Sequence, residues 1–141
     1  MRADFAITVH DELPRDDARI VDDGLGEANE AAAPVRDVRP LSCFVRLPGG
    51  EVVGGAVGRT WGACCELQQL WVDKSYREQG LGTRLVREFE RRGETRGCST
   101  FYLDTFSFQA LPFYRSLGYQ PKLEIDGFPD GIRKYVMVRS A

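Results

Sequence analysis

The stretch Glu66-Leu-Gln-Gln-Leu-Trp-Val-Asp73, continued by Lys74-Ser-Tyr-Arg77-Glu-Gln-Gly80-Leu-Gly82 and Thr83-Arg-Leu-Val-Arg-Glu-Phe89, decides the fold. It reads as strand, loop and helix. Leu67, Leu70, Trp71 and Val72 give the first part an apolar, strand-like character. Leu81, Leu85 and Phe89 recur every four residues with Val86 beside them, so one helix face is apolar; Arg84, Arg87, Glu88, Arg91 and Arg92 fall on the other. A glycine-bearing loop that opens a helix leaves backbone N–H groups unpaired at the helix N-terminus, a site suited to a phosphate. Gly80 and Gly82 lack a Cβ, so a diphosphate could approach the backbone closely.

Working outward from that stretch, residues 41–47 and 51–59 are two strand patterns joined by the turn signal Pro48-Gly-Gly50. Gly54, Gly55 and Gly58 make the second one small-sided, as at a bulge or a close sheet contact. With the strand at 64–73 they form an antiparallel meander. Alternation along that last strand puts Glu66, Gln68, Leu70 and Val72 on one face. A helix over 77–96 ends at Gly97, and 100–106 is strongly β-prone. Strand, crossover helix and strand make the two flanking strands parallel neighbours. A short helix follows. Pro112 must lie in its first turn, so it should begin near Phe108, and Gly118 ends it. Residues 119–125 and 132–139 alternate as two closing strands. At the other end, 5–10 reads as a first strand. The acidic segment 11–33 reads as two helical pieces broken by Gly24 and Gly26, with its carboxylates on a solvated face or, alternatively, as a lip for a cationic acceptor.

The 141 residues suffice for one domain, 1–141, with a proper core. Apolar content of 43% and charged content of 28% are those of an ordinary globular protein. A net charge of −2 argues against nucleic acid as partner. The charge is uneven: residues 1–70 hold 12 acids and 7 bases, residues 71–141 hold 9 acids and 12 bases, so the proposed phosphate loop lies in the basic half. No apolar run is long enough to cross a membrane. The first residues carry an acid and no apolar stretch, so no signal peptide is expected. Cys43, Cys64, Cys65 and Cys98 show no metal-ligand spacing, and His10 is the only histidine, so no metal is expected. Reduced thiols in a cytoplasmic protein fit this usage.

The loop excludes two common phosphate motifs. A dinucleotide fingerprint would need glycine where Leu85 stands, and no Gly-Lys-Ser/Thr follows for a P-loop. What fits is Arg77-Glu-Gln-Gly80-Leu-Gly82, which resembles motif A of the GNAT N-acetyltransferase superfamily. Ala110-Leu-Pro-Phe-Tyr114-Arg-Ser-Leu-Gly118-Tyr119 resembles its motif B, with Tyr119 where phenylalanine is usual. Two motifs in the right order, one strand apart, are far more specific than either alone. The resemblance runs from about Leu41 to the end of the chain. It implies a mixed α/β, three-layer α-β-α sandwich of GNAT type with six or seven strands.

It also implies an activity, transfer of an acetyl group from acetyl-CoA to a primary amine of a small molecule or peptide. The loop, through Arg77 and the amides of Glu78, Gln79, Gly80, Leu81, Gly82 and Thr83, would hold the pyrophosphate. The strand before it would be bulged and splayed from its neighbour, so that Leu70, Trp71 and Val72 pair with the pantetheine; an N–H near Leu70 would steady the oxyanion. Tyr114 would protonate the departing thiolate, a core tyrosine being the alternative. Glu66 would act as base, with Asp104, His10 or water as rivals. Ser107 would either contact the cofactor or cap the following helix. A non-catalytic acyl-CoA-binding module is the alternative function. A toxin acting on charged tRNA fits less well, because the chain is acidic. A homodimer is left open as the assembly.

Overall fold

The computed structural model of the protein describes residues 4–140. The chain divides into two units, one ending at Arg36 and one starting at Asp37. The first unit holds one helix, α1 (Arg15–Ala32), which buries none of its residues. It is continuous, where two pieces were expected. Glycine costs about 1 kcal/mol against alanine inside a helix, which weakens it without ending it when Leu25, Glu27, Ala28 and Glu30 follow. Asp16 and Asp17 in the first turn complement the helix dipole. The expected strand at 5–10 does not form. Its residues have no ladder partner among the described residues, and Phe5, Ile7 and Val9 are exposed; β propensity without a paired strand leaves the backbone groups to water.

The second unit holds a six-stranded mixed sheet: β1 (Arg39–Arg46), β2 (Val52–Trp61), β3 (Cys64–Val72), β4 (Thr100–Phe106), β5 (Gln120–Ile125) and β6 (Lys134–Ser140). Their spatial order is β1-β2-β3-β4-β6-β5. The first three strands form the expected antiparallel meander, and β3 pairs with β4 in parallel. The crossover between them is α2 (Leu81–Thr95), which starts at Leu81 and not at Arg77. The intervening residues are held in a turn by Glu78 and Gly80 at positive φ. The short helix α3 (Leu111–Ser116) starts three residues later than expected, with Pro112 in its first turn. No helix among the described residues is long and apolar enough to cross a membrane.

The core lies on one side of the sheet. From α2 it takes Leu85, Val86 and Phe89, from β4 Phe101 and Leu103, from β3 Cys65 and Leu67, and from β6 Met137; Tyr114 and Leu117 of the α3 segment join the same cluster. The glycines of β2 have their reason here. A Cβ on Gly58 would lie 1.8 Å from the Glu66 carbonyl oxygen and 2.8 Å from the Phe89 ring. Helix α2 comes as close at Gly93, where a Cβ would stand 3.0 Å from the Cys65 sulfur. The thiols differ accordingly: Cys65 and Cys98 are buried and Cys64 is exposed.

Candidate active site

Two features open a cleft at the C-terminal end of β3. The first is a bulge. Gly58 pairs with Leu67 but Val57 pairs with Gln69, so Gln68 is an extra residue. The bulge resets the alternation: Leu67, Leu70 and Val72 share one face, and Glu66, Gln69 and Trp71 the other. This corrects the expectation that Glu66, Gln68, Leu70 and Val72 share a face, since a period of two holds only along an unbroken ladder. The second feature is a splay. β3 pairs with β4 only from Cys64 to Leu67, opposite Thr100 to Leu103. Beyond those residues β3 runs on to Val72 and β4 to Phe106 with no strand pairing between them. An extended ligand can pair with a strand edge left open in this way.

The cleft encloses about 480 Å³. Leu70, Trp71 and Val72 form its strand wall, Arg77, Glu78 and Gly80 its loop, and Leu81, Gly82 and Thr83 the start of α2. Tyr76, Ala110 and Phe113 complete it. Phe113 escaped the sequence reading; its only sign was a position next to Tyr114 on a short helix. Gly80 is the N-cap of α2 and, among the described residues, no side chain caps that end. The first bond of the helical ladder there runs from the Arg84 N–H to the Gly80 carbonyl, 3.1 Å, so the amides of the first turn lack intrahelical partners. Glu78 and Gly80 have φ of 62° and 76°. A non-glycine residue in that region is strained, and left-handed residues in a turn direct successive N–H groups into a concavity that suits an anion. The Arg77 Nε donates to the Val72 carbonyl at 2.9 Å, tying loop to strand.

The two motif glycines differ. Gly80 has open space around it and is required for its φ. Gly82 has an ordinary backbone, and a Cβ there would reach the Phe113 ring at 3.4 Å, an ordinary contact distance, so neither its φ nor the packing excludes a small side chain. Two further grooves of about 520 and 570 Å³ run between α2 and β1 and are rich in arginine. Neither includes a residue of β3.

Of the catalytic candidates, Tyr114 lies in α3 with its ring buried, edge-on to Phe113 and Tyr119. Burial pushes its phenol up to about 12. Its hydroxyl makes no hydrogen bond among the described residues, yet no buried side-chain polar atom there lacks a partner, so the hydroxyl keeps contact with solvent. Tyr114 does not itself line the cleft, whereas Ala110, one turn before it, does. Glu66 is half-buried, with Oε1 accepting from Arg59 Nε at 2.9 Å. It stands opposite Tyr102 in the parallel pair. Burial first, then the Glu66 charge, push the Tyr102 phenol up.

The remaining candidates are placed differently. Asp104 is exposed, 3.6 Å from Lys134. His10 belongs to the first unit, its ring nitrogen 2.9 Å from the Thr8 hydroxyl. Gln79 is exposed and outside the cleft lining. Ser107 does not cap α3, whose N-cap is Ala110. Its hydroxyl accepts from the Arg133 N–H at 3.0 Å and its own N–H donates to the Arg133 carbonyl at 2.8 Å. It therefore ties the end of β4 to the approach to β6.

The Acetyltransferase (GNAT) family matches residues 8–119. The chain is 36% identical over 110 residues to Blasticidin-S acetyltransferase of Streptomyces morookaense, covering 75% of this chain and 81% of that protein. It is 32% identical to an acetyltransferase of Agrobacterium fabrum over 101 residues, 72% of this chain and 74% of that one. Among solved structures, a putative acetyltransferase from Agrobacterium tumefaciens superposes with a TM-score of 0.86 at 25% identity, over 97% of this chain and all of the other. An acetyltransferase from Bacillus cereus gives 0.79 at 25% identity, over 95% and 98%.

Proposed function

The chain belongs to the GNAT acetyltransferase family, and on that footing we propose that it transfers an acetyl group from acetyl-CoA to a primary amine by direct attack. The observation that carries this reading is the splay of β3 from β4, which ends at the uncapped N-terminus of α2. One cleft then offers an open strand edge to an amide-bearing arm and free N–H groups to a diphosphate. In this reading Arg77 and the amides of 78–83 hold the phosphates, residues 70–72 hold the arm, and an N–H near Leu70 steadies the oxyanion. Ser107 is a further candidate contact.

The reaction needs two proton movements. An amine nitrogen forms the new C–N bond while the C–S bond of the thioester breaks. The attacking ammonium must first lose a proton, which Glu66 accepts directly or through water. The departing thiolate takes a proton from Tyr114. A phenol held near 12 stays protonated at neutral pH, but the same burial makes it a weaker acid than a free phenol and widens its gap from a thiol at ~8.5, so the transfer depends on the developing thiolate charge to draw the proton.

A small molecule is the acceptor class favoured by the relative at 36% identity, whose name specifies blasticidin S. The test is release of CoA thiol from acetyl-CoA across a panel of amines that includes blasticidin S and lysine peptides. Turnover of at least one small amine is expected. Binding of acetyl-CoA with no turnover of any amine would replace an enzyme by a binding module, and absence of binding would remove the cleft from consideration.

A further inference from the structure

Glu90 is a buried charged residue that the proposed chemistry does not use. It sits in the middle of α2, only 2% exposed. Its Oε2 accepts from the Tyr119 hydroxyl at 2.8 Å and from Arg139 Nε at 3.2 Å, and its Oε1 from Arg87 Nη1 at 2.8 Å. Replacing such a buried ionic group by well-packed apolar residues is often neutral or stabilising, so stability alone is a weak reason for it to be there. What the group does show is direction. Two of its three partners lead to the C-terminal end of α3. Arg87 Nη2 donates to the Leu117 carbonyl at 3.3 Å. The Tyr119 N–H donates to the Tyr114 carbonyl at 3.0 Å, and the Leu117 N–H to the same oxygen at 3.1 Å. At the other end of α3, Phe113 lies against Gly82 at the start of α2. The helix bearing Tyr114 is therefore held at both ends to the helix bearing the proposed phosphate loop.

We infer that Glu90, through Arg87 and Tyr119, is a positioning residue that fixes the Tyr114 hydroxyl relative to the acetyl-CoA cleft. The inference rests on the reading of Tyr114 as the acid. The tie depends on the Tyr119 hydroxyl, which the phenylalanine usual at that place in the motif B that this segment resembles would not supply. Arg139 anchors the same carboxylate to β6, and its guanidinium lies 5.0 Å from the centre of the Phe101 ring. Arg139, the third partner, thus holds the group to the sheet, while the other two contacts reach α3.

The experiment is a cycle of Tyr119→Phe and Tyr114→Phe, with Arg87→Lys as a second way to loosen the tie should Tyr119→Phe fold poorly. Arg87→Lys keeps the charge but loses the fork that reaches both Glu90 and the Leu117 carbonyl. For the parent and each variant, kcat, KM for acetyl-CoA and melting temperature are measured. Tyr119→Phe should lower kcat about tenfold with KM kept, because a displaced catalytic group loses rate without losing phosphate contacts. In the Tyr114→Phe background the same change should lower kcat no further. An equal fall in both backgrounds, or kcat unchanged in Tyr119→Phe and Arg87→Lys, overturns the inference while leaving Tyr114 as acid. Parent rates in Tyr114→Phe overturn both. If no amine is turned over, 3-fluorotyrosine labelling gives the reading. The Tyr114 resonance, assigned by its loss in Tyr114→Phe, should shift on acetyl-CoA binding in the parent and shift less in Tyr119→Phe. The same shift in both proteins overturns the inference.

Discussion

Helices α1 and α2 look alike as strings and differ as structures. Both are amphipathic, rich in charge and interrupted by glycine. Helix α2 buries Leu85, Val86, Phe89, Glu90 and Gly93, while α1 buries nothing. The glycines differ in the same sense. Gly82 and Gly93 stand against Phe113, Cys65 and Phe101, whereas a Cβ on Gly24 or Gly26 would meet nothing within 4 Å. A glycine inside a helix is a local weakness at Gly24 and Gly26 and the condition for close packing at Gly93. Sequence alone does not separate the two, because the separating fact is what lies across from the helix.

Matched truncations test that comparison most strongly. Phe89→Ala should destabilise the protein by about 3–5 kcal/mol, the range for emptying a well-packed aromatic site. Leu25→Ala, on exposed α1, should cost under about 0.5 kcal/mol. Urea unfolding gives both numbers, and similar costs would mean that the apolar side of α1 is covered. At the start of α2, Gly82→Glu puts a carboxylate and bulk into the proposed phosphate site and against Phe113. CoA affinity should fall on the order of 100-fold, or about 2.7 kcal/mol; calorimetry that finds it unchanged in a folded variant moves the site elsewhere.

Tyr114→Phe keeps the ring in the core and removes one proton donor, so kcat should fall about 100-fold with CoA affinity kept. The pH dependence carries a sign. Burial raises the phenol to about 12, so the acid form persists where an exposed tyrosine, near ~10, would already be losing its proton. Parent kcat should therefore show no loss of this acid between about pH 8 and 10. The same shift makes its stability contribution fully present below about pH 10 and lost as pH rises towards 12.

Glu66→Gln should lower kcat about tenfold at low pH, where the acceptor is protonated, and less at high pH. A pH–rate profile superimposable on the parent's leaves Asp104 or water as base. The smallest effects belong to α1: Gly24→Ala and Gly26→Ala should each stabilise its helix by roughly 0.5–1 kcal/mol. Circular dichroism would read that as a gain in helicity, and a loss instead would show that those positions face a neighbour.

Local signals carried most of the second unit. The β propensity of β4, the four-residue apolar repeat of α2 and the turn at Pro48-Gly-Gly50 each specify an element from a few adjacent residues, and short connections then order the meander. The motif Arg77-x-x-Gly80-x-Gly82 marked the proposed phosphate loop for a related reason: unpaired amides at a helix start belong to the backbone and follow from where the helix begins. Elements that need a distant partner were not legible. Residues 5–10 have strand propensity but pair with no strand among the described residues, and Ser107 bonds to Arg133 across 26 positions. The bulge at Gln68 arises where Gly58 meets Leu67 under the Phe89 ring, three segments far apart in the chain, and it moved Glu66 off the face of Leu70. Glu90 reads as one more charge on a helix until folding brings Arg87, Tyr119 and Arg139 to it. The sequence by itself determined most strands and helices of the second unit and which helix start leaves its amides free, because those follow from neighbours along the chain. Only the tertiary structure decided which face each side chain took and which charges were buried together, because burial and pairing are set by contacts across it.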